Sequence, residues 1–272
     1  MDPNPDLDRF DSRRATAYAR NGMVATSQPL AATAGLETLK DGGNAVEAMV
    51  AAAASIATVY PHMNSIGGDG FWLIHQPGKA PVAIDACGRA AAAASPGFYR
   101  GHRQIPARGP LAAVTSAGTI AGWQQALEVA KDWGRPKPLS RLLAAAIEQA
   151  RDGTVVTRGL TELITRKAHE MTDCPGFLDT FVPGGHVLAA GSLVKQPALA
   201  ATFEQLARAG LDDFYRGELG KAMGDELSRL GSPLVAEDLA SYQALRVAPL
   251  QTRLRNATIF NLPPPTQGLA SL

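Results

Sequence analysis

Three features of this sequence combine residue types that can do chemistry. Cys87 carries a thiol that can act as a nucleophile, although an isolated cysteine is more often a small core residue. Arg89 and Arg108 each carry a guanidinium that can hold a carboxylate through two parallel hydrogen bonds, but an isolated arginine is more often a solvated charge. The Gly-Gly-Asp-Gly run at residues 67–70 can surround a phosphate, yet it precedes a predicted strand, whereas phosphate loops follow one. A tight turn with positive φ is the favoured interpretation of that run.

Other catalytic and metal-binding patterns are missing from the sequence. The five histidines include no pair at the spacing of metal ligands and stand at positions 62, 75, 102, 169 and 186. No Gly-x-Ser-x-Gly elbow is present, and Ser65, Ser95 and Ser116 have no base beside them in the sequence. We therefore expect neither a metal nor another cofactor, and the residues taken singly do not decide the chemistry.

The composition is that of a folded domain without charge bias. The 272 residues are 46% hydrophobic and carry a formal net charge of +1, which predicts one α/β-sized domain with a sizeable core. The 26 basic and 25 acidic residues give no electrostatic reason to expect nucleic acid or a membrane surface as a partner, so a small molecule is expected. Two cysteines suit a reducing compartment, and the first twenty residues contain no apolar run of signal-peptide length. A cytoplasmic protein is expected.

The elements that must position these residues begin after a polar arm at residues 1–21. A short strand is predicted at 21–25, followed by a helix that starts near Pro29 with Ser27 as its cap. Asn44 and Glu47 form a capping-box pattern before an alanine-rich helix. Apolar strands at 71–74 and 82–85 then predict a hairpin in a sheet covered on both faces.

The middle of the chain has helical periodicity, and its end returns to strands. Helices are predicted at about 119–133, 140–152, 157–171, 197–209 and 218–230. Strands are predicted at 246–254 and 257–262, before a proline run and the start of a helix at 266–272. An apolar helix start and an unpaired sheet edge are costly to leave uncovered, so residues 22–272 are expected to be an incomplete domain.

Several motifs, in order along the chain, resemble the γ-glutamyltranspeptidase family. They are Gly-Met-Val-Ala at 22–25, the run from Ala34 to Ala48 containing Asp-Gly-Gly-Asn-Ala-Val-Glu-Ala, Tyr-Pro-His at 60–62, Ile-Gly-Gly-Asp-Gly-Phe at 66–71, Ile-Asp at 84–85, Gly-Thr-Ile-Ala-Gly at 118–122, and Asn-Leu-Pro-Pro-Pro-Thr-Gln-Gly at 261–268. The resemblance therefore extends from residue 22 to residue 272.

This resemblance implies an α/β fold, the four-layer αββα sandwich of N-terminal-nucleophile hydrolases, completed by a small subunit absent from this chain. Such enzymes are made as a proenzyme that cuts itself, and the threonine at the new N-terminus attacks an amide with its own α-amine as the base. The resemblance places that threonine beyond residue 272, so no catalytic residue is expected within the chain. The implied partner is the small subunit of the same proenzyme, and a higher oligomer stays open.

One departure from the family pattern bears on the substrate. At the two positions where γ-glutamyl enzymes carry an arginine-glutamate pair, this chain has Cys87 and Gly88. A neutral thiol cannot replace a guanidinium, which argues against glutathione as the substrate. Arg89, two residues after Cys87, returns to the same face of a strand and is the candidate replacement. The predicted substrate-binding residues are therefore Cys87, Gly88 and Arg89.

Within the family the chain resembles the oxamate amidohydrolases of purine-ring catabolism. The residues that carry this resemblance include Tyr-Pro-His-Met-Asn at 60–64, Ser-Pro-Gly-Phe-Tyr-Arg at 95–100 and Gly-Leu-Asp-Asp-Phe-Tyr-Arg-Gly at 210–217. The resemblance implies hydrolysis of oxamate to oxalate and ammonia through an acyl-threonine intermediate. The alternatives are a γ-glutamyltransferase or glutathione hydrolase with a displaced carboxylate anchor, and an inactive homologue that only binds.

Overall fold

The computed structural model of the protein describes residues 16–272. Of the polar arm predicted at 1–21, residues 1–15 lie outside the described residues, and 16–21 form neither helix nor strand. The helices are α1 Pro29–Lys40, α2 Ala45–Val59, α3 Thr119–Ala130, α4 Leu139–Leu142, α5 Ala144–Asp152, α6 Arg158–Lys167, α7 Phe177–Phe181, α8 Pro197–Ala209, α9 Asp213–Arg216, α10 Glu218–Arg229, α11 Ala236–Ser241 and α12 Gly268–Ser271. The strands are β1 Gly70–Ile74, β2 Val82–Ala86, β3 Thr154–Val155, β4 Leu193–Val194, β5 Leu245–Val247, β6 Leu250–Arg253 and β7 Thr258–Asn261.

Helices α1 and α2 pack as a pair because small residues let their backbones approach. A Cβ on Gly35 would lie 2.9 Å from the carbonyl oxygen of Ala48 and equally close to a methyl of Val24. The predicted strand at 21–25 is wrong for this reason: Val24 packs on α1 instead of joining a sheet. Residue Gln28, not the predicted Ser27, caps α1, since its side chain accepts from the backbone N–H of Leu30 at 2.6 Å.

The capping box of α2 is confirmed. The Asn44 side chain accepts from the N–H of Glu47 at 3.0 Å, and the Glu47 carboxylate accepts from the N–H of Asn44 at 2.7 Å. A second oxygen of Glu47 accepts from the N–H of Lys137 at 2.6 Å, so this buried carboxylate also ties α2 to the chain before α4. Both oxygens are satisfied, as a buried charge requires.

A three-stranded antiparallel sheet in the order β1-β2-β5 lies against α3. The predicted hairpin is confirmed, with Trp72 opposite Ile84 and Leu73 opposite Ala83. Ile84 and the α3 residue Ile120 are fully buried in the main core. Gly70 stands where β1 comes closest to α3: a Cβ there would lie 3.4 Å from the Cα of Thr119.

The other face of this sheet is open among the described residues, which therefore supply the cover of only one of the two faces that the sequence predicts to be buried. Its apolar side chains Phe71, Leu73 and Leu245 are 39%, 41% and 45% exposed. They share one face because Phe71 pairs with Asp85, which in turn pairs with Leu245. The sequence of these strands is that of a strand buried on both sides.

The helical middle of the chain builds the rest of the core. Trp123 of α3 stacks on Phe203 of α8 with the ring centroids 6.5 Å apart. Buried neighbours from other helices complete this cluster; they include Leu142, Leu143, Leu206, Phe214 and Tyr215. The predicted helices are confirmed, with two differences: the one at 140–152 is divided at Leu143, and the one at 157–171 ends in a 3-10 turn at Ala168–Glu170.

The end of the chain forms the predicted second hairpin. Strands β6 and β7 pair antiparallel, with Leu250 opposite Asn261 and Arg253 opposite Thr258. The proline run follows β7 and leads into α12, where Gly268 lies against the backbone of Leu262. None of the helices among residues 16–272 combines the length and apolar composition needed to cross a bilayer.

Candidate substrate-binding site

The three residues predicted to bind substrate line one cavity at the end of β2. This cavity has a volume of about 210 Å³ and opens beside the uncovered face of the sheet. It is lined by Asp85, Cys87, Gly88, Arg89, Gln243, Leu245 and Pro265. The cavity therefore brings the segment after β2 together with the chain before β5 and the proline run near the end.

The segment after β2 is not a strand, which changes the expected geometry. Strand β2 ends at Ala86, so the argument that Cys87 and Arg89 share one face of a strand is wrong. The segment instead lies against residues 114–118: the N–H of Ser116 donates to the Arg89 carbonyl at 2.9 Å, and Ala91 donates to the Val114 carbonyl at 2.8 Å. These bonds fix the backbone of the segment without a continuous ladder.

Gly88 has no room for a side chain. A Cβ there would lie 1.9 Å from the carbonyl oxygen of Ser116 and 3.2 Å from a carboxylate oxygen of Asp69. Gly118 makes the matching approach from the other side, where a Cβ would lie 1.8 Å from the carbonyl oxygen of Ala86. The two glycines allow the segment after β2 and the chain before α3 to touch backbone to backbone.

Asp69 and Tyr242 hold the Cys87–Gly88 peptide from two sides. The N–H of Gly88 donates to Asp69 Oδ1 at 2.7 Å, and the thiol of Cys87 donates to Asp69 Oδ2 at 3.6 Å. The hydroxyl of the buried Tyr242 donates to the Cys87 carbonyl at 3.0 Å. Asp85 accepts from the Cys87 N–H at 2.9 Å, so the backbone of Cys87 is held at both its N–H and its carbonyl.

The glycine-rich run at 67–70 has neither of the roles weighed from the sequence. Gly67, Gly68 and Gly70 all have φ outside the positive region, so the predicted positive-φ turn is wrong. The Gly68 carbonyl accepts from the N–H groups of Gly118 and Thr119 at 2.8 and 2.9 Å. A phosphate bound at the start of α3 would need these two N–H groups as donors. They are already bonded to the Gly68 carbonyl, so they are not free to bind one.

The electrostatics keep Cys87 protonated. Burial, the Asp69 carboxylate and then Asp85 raise the pKa of the Cys87 thiol above its ordinary value. A thiol attacks only as the thiolate, so Cys87 contributes a neutral, polarisable wall to the cavity and does not fit the role of nucleophile. Burial, with Asp69 and Asp85 next, also raises the pKa of Tyr242, which therefore remains a hydrogen-bond donor.

Arg89 is the only cation that lines this cavity among the described residues. Its side chain is exposed and makes no ion pair or hydrogen bond with any other side chain or backbone group within 16–272. Arg108 lies elsewhere: it is 3.6 Å from Glu170 and lines a separate, mostly apolar cavity of about 430 Å³ between His62 and α6. The two arginines therefore do not form one carboxylate site.

Asp69 and Tyr242 are the residues that sequence reasoning missed. Asp69 was visible only as the one charged residue in a glycine-rich run, and Tyr242 had no local signal at all. Their contacts with Cys87 and Gly88 join positions 18, 19 and 155 residues apart in the chain. Only the folded chain brings them together.

Comparison with known proteins decides the family. The sequence profile of gamma-glutamyltranspeptidase matches residues 31–272. The chain belongs to the γ-glutamyltranspeptidase family. Its solved family likenesses include the cephalosporin acylase of Bacillus halodurans, which superposes with a TM-score of 0.85 at 34% identity over 97% of this chain and 49% of that one. This likeness confirms the α/β fold class of N-terminal-nucleophile type that the motifs implied.

Two relatives in the γ-glutamyltranspeptidase family carry the names of different activities. The oxamate amidohydrolase proenzyme of Klebsiella pneumoniae is 47% identical over 93% of this chain and 48% of its own length. The glutathione hydrolase-like YwrD proenzyme of Bacillus subtilis is 32% identical over 92% of this chain and 47% of its own length. The chain thus spans about half the length of the curated relatives that it matches.

Proposed function

We propose that the protein, together with polypeptide beyond residue 272, hydrolyses a small amide acid such as oxamate to oxalate and ammonia. One observation carries this proposal: the sequence identity to the oxamate amidohydrolase proenzyme is 47%, against 32% to the glutathione hydrolase-like proenzyme. On the same resemblance, we propose that the mature protein is a cytoplasmic heterodimer that acts in purine-ring catabolism. The unpaired cysteines Cys87 and Cys174 are compatible with a reducing compartment.

The cavity after β2 suits a small anion. Its described walls enclose about 210 Å³, which is enough room for the carboxylate end of a small substrate. Arg89 supplies the charge that a substrate carboxylate needs, and its planar guanidinium can donate two parallel hydrogen bonds. The neutral thiol of Cys87 and the backbone of Gly88 form the wall beside it.

The open face of the sheet supports a second subunit that completes the fold. Phe71, Leu73 and Leu245 form an apolar surface whose exposure to water is unfavourable. Leu245 also lines the cavity. Polypeptide that packs on this face would reach the edge of the cavity. We propose that this is the small subunit of the same proenzyme and that it brings the threonine nucleophile to the substrate.

The chemistry follows from an N-terminal threonine. Its hydroxyl adds to the amide carbonyl while its α-amine takes the hydroxyl proton; the C–N bond then breaks, and the same proton leaves with ammonia. Water adds to the resulting acyl-threonine ester and releases oxalate, which restores the hydroxyl. Cys87, Gly88 and Arg89 take no part in these bond changes, since their proposed role is to hold the carboxylate end of the substrate.

A pair of substrates tests the role of Arg89 in the full-length gene product. Oxamate carries a carboxylate and oxamide does not, although both present the same scissile amide. Hydrogen bonds to charged groups are worth about 1.5–3 kcal/mol, so Arg89→Ala should lower kcat/KM for oxamate about 10- to 150-fold. It should leave kcat/KM for oxamide within about twofold, and Arg166→Ala, at an exposed position on α6, should change neither.

The outcomes separate the alternatives. Equal losses on both substrates would mean that Arg89 does not anchor a carboxylate. Release of the γ-glutamyl leaving group from glutathione, without ammonia release from oxamate, would favour the glutathione hydrolase alternative.

A further inference from the structure

The segment Cys87–Arg89 projects from the end of β2 and depends on Asp69 for its shape. Asp69 is the only side chain among the described residues that accepts a hydrogen bond from the N–H of Gly88, at 2.7 Å. The same carboxylate accepts from the Cys87 thiol at 3.6 Å. Two consecutive residues of the proposed substrate wall are thus bound to one carboxylate, immediately before the arginine that carries the charge.

The backbone of Asp69 is itself firmly placed. The single hydroxyl proton of Thr119 is shared between the carbonyl of Gly68 at 2.9 Å and that of Asp69 at 3.0 Å. The Gly68 carbonyl also accepts two N–H groups from the start of α3. These contacts fix Asp69 to a long helix of the main core, so its carboxylate is a rigid support for a segment that does not continue strand β2.

The chemistry of the two contacts requires a carboxylate. Gly88 offers an N–H and Cys87 an S–H, so the supporting side chain must accept two hydrogen bonds on two different atoms. An ionised carboxylate has two acceptor oxygens, whereas an asparagine amide has one oxygen and a nitrogen that only donates. Asparagine can therefore keep the bond to Gly88 but offers the thiol no second acceptor oxygen, which leaves the thiol the Gly88 carbonyl at 3.8 Å.

We propose that Asp69 is a positioning residue for substrate binding, which fixes the Cys87–Gly88 peptide so that Arg89 faces the cavity. This inference rests on the proposed function, because it takes the cavity after β2 as the substrate site. Asp69 touches no substrate in this account; it acts through the two residues that it holds. Its removal should therefore weaken substrate binding and leave the bond-breaking steps with their normal rate.

Steady-state kinetics of the full-length product test the effect on binding. Asp69→Ala removes both contacts, and a displacement of about 1 Å in a positioning group can cost about 100-fold, so we expect KM for oxamate to rise at least tenfold. The value of kcat should stay within about twofold, since Arg89 binds ground and transition states alike. Asp69→Asn should raise KM less than Asp69→Ala, and the matched control Asp225→Asn, an exposed aspartate of α10, should not change it. A fall in kcat at constant KM would overturn the proposal.

The thiol of Cys87 gives a second measurement that needs no turnover. The rate of alkylation by iodoacetamide is followed against pH, and the peptides containing Cys87 and Cys174 are quantified separately by mass spectrometry. The Cys87 thiol donates to the Asp69 carboxylate, so Asp69→Asn removes a negative charge beside it. This change should shift the Cys87 profile to lower pH and leave Cys174 unchanged. An unchanged Cys87 profile would overturn the proposal even if oxamate were not the substrate, whereas a shifted profile without oxamate turnover would reject only the proposed function.

Discussion

Replacing Gly88 with alanine tests how closely the substrate segment lies against the chain before α3. The new Cβ would stand 1.9 Å from the carbonyl oxygen of Ser116, and real Cβ atoms essentially never approach a heavy atom within 3.0 Å. The atom it meets is backbone, which cannot rotate away as a side chain would. The two segments must therefore separate by about 1 Å.

The cost of that separation can be worked from the bonds it breaks. The Gly88 N–H loses Asp69 at 2.7 Å, and the Ser116 N–H loses the Arg89 carbonyl at 2.9 Å. Overpacking costs about 1–3 kcal/mol and each of the two hydrogen bonds about 0.5–1.5 kcal/mol, so we expect a loss of about 2–6 kcal/mol in the free energy of unfolding. At about 2–4 °C per kcal/mol, the thermal midpoint should fall by about 4–24 °C.

Denaturant and thermal unfolding of the full-length product measure this loss. The matched control is Gly159→Ala in α6, where a new Cβ meets nothing within 4 Å and the position is exposed. Alanine there should leave stability unchanged or raise it by about 0.5–1 kcal/mol, because glycine is a poor helix residue. A Gly88→Ala protein as stable as the control would refute the close approach and, with it, the geometry of the cavity wall.

Three further substitutions have defined outcomes. Tyr242→Phe removes the hydroxyl bond to the Cys87 carbonyl and should lower the free energy of unfolding by about 1 kcal/mol in urea; equal stability would contradict the contact. Glu47→Gln keeps the shape but offers one acceptor where the cap of α2 and the Lys137 N–H need two, so denaturation should show a loss of about 1–3 kcal/mol. Burial holds the pKa of His62 below its usual 6.5 in the folded chain. As the pH drops below 6.5, His62 is protonated in the unfolded chain before it is protonated in the folded chain, so the free energy of unfolding should fall. In His62→Leu that slope should flatten, and an unchanged slope of unfolding free energy against pH would exclude His62 as its source.

Local patterns in the sequence were enough to predict most helices. The capping box at Asn44 and Glu47 was predicted because both partners lie within one turn, and the helices at 197–209 and 218–230 were predicted because their apolar residues recur at helical spacing. The strand at 21–25 failed because its apolar residues suited either a strand or packing on a helix. In the folded chain Val24 lies against Gly35 of α1, a contact that the local sequence does not indicate.

The candidate site was only partly predictable, since its contacts are long-range. Cys87, Gly88 and Arg89 were found through a family pattern, and the structure places all three on one cavity. The supports of that segment, Asp69 and Tyr242, come from the loop before β1 and the chain before β5, and nothing in their local sequence indicates which residues they meet. The sheet was predicted to be covered on both faces because its strands are apolar on both sides. Such a pattern indicates burial but not which polypeptide provides it.

The central claim is that this chain supplies the carboxylate-binding half of an amidohydrolase whose nucleophile lies elsewhere in the same gene product. The most direct test is to purify the full-length product, let it mature, and combine mass analysis of its subunits with ammonia release from oxamate. We predict two subunits, a threonine at the new N-terminus, and ammonia from oxamate with oxalate as the second product. An uncleaved chain that releases no ammonia would contradict the account.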